Sequence, residues 1–133
     1  GDERLVIDVI QKHGVDAVIH FAAMSLVGES MDIPAEYYDN NVIRACRLLS
    51  AMREGGVSKI VFSSSAAVYG EPEAPAIDEQ HAKRPTNPYG ETKLAYERAL
   101  GTVNGLQLPA AGPDDEVDWF VGATRVKELR AQS

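Results

Sequence analysis

Apolar residues recur along the first hundred positions with two different periods. Leu5, Val6, Val9 and Ile10 share one side of a 3.6-residue repeat. This predicts a short helix capped by Asp2 and closed by Gly14. Val15 to Ala23, VDAVIHFAA, is an almost unbroken apolar, β-branched run of strand length. Such a run suits a parallel strand covered on both faces. SLVGESMDI then reads as a polar, glycine-containing connection. Pro34 fits a first helical position. Tyr38, Val42, Ala45, Leu49 and Met52 follow at steps of four and three, an amphipathic helix stopped by Gly55 and Gly56. Lys59 to about Ser63 is a second strand, running into the small-residue loop SSSAAVYG. EPEAPAIDEQHAKRPTNP has no period and is rich in proline, which predicts a loop. Asn87 and Pro88 start a helix that continues to about Leu100.

The order helix, strand, helix, strand, helix predicts an α/β fold: part of a doubly wound, Rossmann-like parallel sheet with right-handed crossovers. Residues 1–100 form that unit, and 101–133 read as a divergent tail. In the tail, Pro109, Gly112, Pro113 and the acidic run Asp114–Glu116 predict a loop, and Val121 to Leu129 a short helix. Trp119 and Phe120 read as a small core for the tail or as exposed apolar surface.

Composition narrows the function. With 133 residues the chain has the length of about one domain, and 44% hydrophobic content supplies a core. A net charge of -7 argues against nucleic acid or an anionic membrane as partner. A nucleotide ligand stays open, because backbone N–H groups at helix N-termini hold phosphate without net positive charge. Cys46 is the only cysteine, so no internal disulfide forms, and a reducing, cytoplasmic setting is expected. No apolar run has membrane-spanning length and no signal-peptide pattern opens the chain. No metal is expected: Asp114, Asp115 and Glu116 have no histidine or cysteine at ligand spacing. His20 reads as a core histidine, and Cys46 as a small buried hydrophobe.

In open parallel sheets, ligands bind beyond the carboxyl ends of the strands. That rim collects FAAMS, SSSAAVYG and the start of the last helix, NPYGETKLAYE. In the last of these, Tyr89 and Lys93 are spaced i, i+4 and share a helix face. A cation beside a phenol favours the phenolate, and a phenol so tuned can give and take protons. The chance pairing of a surface tyrosine and lysine is the competing reading. Serines 63, 64 and 65 end the second strand, either as proton-relaying hydroxyls or as caps for loose backbone groups. A strand-end serine about two dozen residues before a Y-x-x-x-K helix combines hydroxyl, phenol and cation at one place.

With these residues the chain resembles the short-chain dehydrogenase/reductase superfamily. DAVIHFAAMSLVGESMDIPAEYYDNNV, KIVFSSSAAVYGEPEAPAIDE and NPYGETKLAYE resemble consecutive segments of its extended UDP-glucose 4-epimerase family over roughly residues 1–100. The resemblance implies NAD as cofactor, a UDP-sugar as substrate and, often, a homodimer. It implies Tyr89 as acid/base, Lys93 as the residue holding the nicotinamide ribose, and Ser65 at the sugar 4-hydroxyl. Around the cofactor it implies Asp2 near the adenine, the strand end Phe21, Ala22 and Ala23, Ser25, Asn41 and Ser63. It also implies that a first strand, a G-x-x-G-x-x-G turn and a carboxy-terminal substrate domain belong outside Gly1–Ser133, so that the chain reads as partial. A non-catalytic remnant is therefore one alternative. A 4,6-dehydratase is another, disfavoured because Ala66 and Ala67 stand where dehydratases place Asp and Glu.

Overall fold

A computed structural model describes residues 2–71, 77–78 and 80–102. The expectations for Asp114–Glu116, Trp119, Phe120 and 121–129 lie outside them. Helix α1, Glu3–His13, starts where the Asp2 carboxylate accepts the Leu5 N–H at 3.1 Å, and ends at Gly14 in the left-handed region (φ 61°). Strand β1 is Ala17–His20. Two short helices follow, α2 (Val27–Asp32) and α3 (Pro34–Tyr38), the latter with proline at its start as expected. Chain continuity from α3 into α4 (Arg44–Glu54) runs through a π-helical turn, Asp39–Ile43. Strand β2 is Lys59–Phe62, a single 3₁₀ turn spans Ala66–Tyr69, and α5 is Pro88–Thr102.

The two strands pair in parallel, with Ala17 opposite Lys59 and His20 opposite Phe62. One face of the pair carries Ile60 and Phe62 into a core with Ile10 of α1, Ala45, Leu49 and Met52 of α4, and Tyr96 and Leu100 of α5. The α/β order and the parallel sheet match the sequence expectation. Cover on both faces does not: among the described residues Ile19 and Val61 are 62% and 46% exposed on the opposite face. An unbroken apolar run records which residues avoid water, and not which partner hides each face. The run VDAVIHFAA is also strand for only four residues, because after His20 the chain leaves the ladder to form the rim.

Candidate functional site

The rim is assembled by bonds between segments distant in sequence. The Ser63 N–H donates to the His20 carbonyl at 3.1 Å, tying the two strand ends together. Beyond β1, the chain is fixed by Asn41 from the π-helical turn. Its amide oxygen accepts the Met24 N–H at 2.9 Å, and its amide nitrogen donates to the Met24 carbonyl at 2.9 Å and to Thr92 Oγ1 at 3.1 Å. Thr92 Oγ1 in turn donates to the Tyr89 carbonyl at 2.7 Å. Tyr89 is thus held from its carbonyl side through Asn41, and from its amide side by Ser30 of α2, whose Oγ accepts the Tyr89 N–H at 3.2 Å.

Helix α5 begins as the sequence predicts. Asn87 Oδ1 accepts the Gly90 N–H at 2.9 Å, and Pro88 occupies the first helical position. Gly90 is needed for closeness: a Cβ there would lie 2.5 Å from the Ala67 carbonyl oxygen. This presses the turn that follows Ser65 directly against the first turn of α5. Ser65 itself is half-buried, and its Oγ accepts the Ala67 N–H at 3.2 Å. Val68, Tyr69 and Leu94 pack together behind it.

Tyr89 is buried, with its ring edge-on to Tyr37 at 6.5 Å. One turn on, the Lys93 ammonium donates to the Ser63 carbonyl at 2.7 Å. It stands 4.7 Å from the centre of the Phe62 ring and 5.8 Å from that of Tyr89. Burial pulls the Lys93 pKa down to about 8, against an opposing upward pull from Glu97. The neighbouring His20, expected in the core, is half-buried, stacked on Phe62 at 5.8 Å and edge-on to Tyr96 at 5.6 Å. Its pKa is lowered, first by burial and then by the Lys93 charge.

Of the residues singled out from the sequence, Ser63, Ser65, Tyr89 and Lys93 gather at one place. Phe21 and Ala22 are exposed beyond β1, Ala23 is half-buried and Ser25 exposed, all on the same rim. Asn41 is buried and its amide is occupied by the bonds above. Asp2 caps α1, its carboxylate accepting the Leu5 N–H. Three residues of the site were not singled out: Ser30, Thr92 and Glu97. Ser30 and Thr92 hold the Tyr89 backbone. Glu97 accepts from Ser64, one of the strand-end serines, Ser64 Oγ donating to Glu97 Oε1. Glu97 did leave a signal, since it is spaced i+4 from Lys93 as Lys93 is from Tyr89. Among the described residues no group of His, Cys, Asp and Glu could hold a metal ion, and no helix is long and apolar enough to cross a membrane.

Comparison with known proteins places this arrangement. A family profile described as GDP-mannose 4,6 dehydratase matches residues 1–104. A UDP-glucose 4-epimerase of Halalkalibacterium halodurans is 57% identical over 97 residues, 73% of this chain and 29% of that protein. Among solved structures, a UDP-glucose 4-epimerase of Stenotrophomonas maltophila with bound NAD and formylated UDP-arabinopyranose superposes with a TM-score of 0.73 at 43% identity. The Bifidobacterium longum enzyme in complex with NAD+ and UDP gives 0.72 at 46%. Both superpositions cover 75% of this chain and 30% of the other. The chain thus spans between 26% and 38% of the length of the curated relatives it matches.

Proposed function

The chain belongs to the family described as GDP-mannose 4,6 dehydratase, the extended short-chain dehydrogenases/reductases, and on that premise we propose that it carries the proton-transfer site of an NAD-dependent nucleotide-sugar 4-epimerase that interconverts UDP-glucose and UDP-galactose. The observation that carries the reading is the meeting of Tyr89, Lys93 and the Ser65 turn on one rim, with Gly90 pressed on Ala67.

Tyr89 is the acid/base. Its ring is held by Tyr37 and its backbone by Ser30 and Thr92, so the hydroxyl is presented from a fixed place. It takes the proton of the sugar 4-hydroxyl as C4 is oxidised, and returns it after the 4-keto sugar has turned its other face. Ser65, at the turn against α5, is the group for the sugar oxygen. Lys93 keeps a cation beside the phenol. Its ammonium has three N–H donors, and the Ser63 carbonyl takes one. Two remain for a ligand with adjacent hydroxyls, which fits the ribose of a nicotinamide nucleotide. NAD, when bound, supplies the acceptor and donor of the C4 hydride. The stretch Phe21, Ala22, Ala23 and Ser25 lies along the same rim and is the backbone path for that cofactor, with Ser63 beside it. Asn41 serves this path by holding Met24 in place.

Epimerisation is favoured over dehydration by Ala66 and Ala67. Losing water from the sugar needs a base for the C5 proton and an acid for the C6 hydroxyl, and two methyl groups supply neither. The test is a chimera in which residues 1–102 replace the matching segment of the Halalkalibacterium relative. Incubated with NAD+ and UDP-galactose and followed by NMR, it forms UDP-glucose on this reading. Tyr89→Phe in the chimera lowers turnover by about 10²- to 10⁴-fold while leaving NAD bound. A 4-keto-6-deoxy sugar as main product, or full activity of Tyr89→Phe, overturns it.

A further inference from the structure

Glu97 lies one helical turn beyond Lys93, where no catalytic requirement stated above uses it. Its carboxylate is nevertheless engaged on both oxygens by two different segments. Oε1 accepts from Ser64 Oγ at the end of β2, and Oε2 pairs with Lys83 Nζ at 2.5 Å, from the connection that leads into α5. Ser64 is 7% exposed, so its hydroxyl is bonded inside the protein and out of water. The residues flanking Ser64 are the two that matter at the rim. Ser63 gives its carbonyl to the Lys93 ammonium, and Ser65 opens the turn pressed on Gly90.

We propose that Glu97 is a positioning residue of this site: through Ser64 it sets the height of the strand-end loop against α5, and it places a carboxylate one helical turn from the buried Lys93. The proposal rests on the epimerase reading for its catalytic meaning, and on geometry alone for its structural one. The groups facing Lys93 make the electrostatic half specific. From β1 comes His20, from β2 the Phe62 ring and the Ser63 carbonyl, and from α5 itself Tyr89 and Glu97. Of these only Glu97 is a carboxylate. Burial drives the ammonium towards its neutral form and Glu97 opposes that. Lys83, on the outer oxygen, anchors the carboxylate from the solvent side and joins the connection before α5 to the same clamp.

The two halves separate experimentally in the 133-residue chain. Glu97→Gln keeps an oxygen for Ser64 and removes the charge. Ser64→Ala keeps the charge and removes the bond. The side-chain NMR titration of Lys93 and the amide hydrogen exchange of residues 63–67 are read for each. Glu97→Gln moves the Lys93 midpoint to lower pH with exchange near wild type. Ser64→Ala leaves the midpoint in place and speeds exchange. Glu97→Asp keeps the charge on a shorter stem, so it restores the midpoint but leaves exchange fast. If Glu97→Gln does not fold, Glu97→Asp decides alone by that combination. In the chimera, Glu97→Gln brings the alkaline limb of the kcat profile to lower pH with KM unchanged. A Lys93 midpoint and loop exchange that stay at wild-type values in all three variants overturn the proposal and leave Glu97 a surface partner of Lys83. Absence of turnover in every chimera counts against the epimerase reading and leaves the titration and exchange results standing.

Discussion

A lysine that is 3% exposed between two aromatic rings makes the stability of this fold depend on alkali. The folded Lys93 titrates at about 8 against an ordinary value of 10.5. In between, the unfolded chain binds the proton and the folded chain does not, so stability rises with pH across that window and is lost again as pH falls through 8. The full difference is on the order of 3 kcal/mol at 1.36 kcal/mol per unit. It is isolated by comparison with Lys93→Met, because Cys46 and Tyr96, both raised by burial, act in the opposite direction. Urea melts at pH 7 and pH 10 should show wild type gaining on Lys93→Met, and equal gaps at the two values refute it. Asn41 gives a second residue-scale expectation. Its buried amide satisfies both backbone groups of Met24, so Asn41→Ala leaves them without partners and costs about 2–3 kcal/mol in urea unfolding. Residues of this kind were only half legible. Tyr89 and Lys93 are visible from spacing alone, whereas Asn41, Ser30 and Glu97 act through partners that are 17, 59 and 33 positions away.

Among the elements, α1, α4 and α5 could be read from periodicity and caps, since Asp2, Gly14, Asn87 and Pro88 act locally. Less legible was the segment between β1 and α4. SLVGESMDI contains the short helix α2, which has no side-chain cap and is held in place by tertiary bonds from Tyr37 and Ser30. The π-helical turn at Asp39–Ile43 was also hidden, because one extra residue in a turn barely disturbs an apolar pattern of threes and fours. That turn carries Asn41 at its centre, and a π turn in a helix often marks a functional place. The contact of α5 with the Ser65 turn sets an expectation at this scale. Gly90→Ala brings a methyl group to 2.5 Å from the Ala67 carbonyl and should cost about 1–3 kcal/mol. Gly101→Ala meets nothing within 4 Å on the same helix and should be neutral or stabilise by about 0.5 kcal/mol. Thermal melts of the pair compare them, and equal effects would show that the close approach at Gly90 carries no energetic weight.

At the scale of the molecule, three long helices share one face of the sheet, while Ile19 and Val61, opposite each other in register, remain exposed on the other with Phe21 beyond them. The described strands also pair only with each other, so each has an outer edge. Exposed apolar surface beside free edges favours association. Sedimentation at rising concentration should show self-association of the 133-residue chain, reduced in Ile19→Thr/Val61→Thr; a monomer at all concentrations refutes this. The parallel register has a kinetic consequence as well. Ala17 meets Lys59, 42 positions further on, and no hairpin shortens the search. Closing so long a loop carries an entropic cost before any ladder bond repays it. The backbone bonds within α4 are local and carry no such closure cost. Strand pairing is therefore a late event, and the rim, which exists only once His20 and Ser63 have joined, is among the last parts of the molecule to take shape.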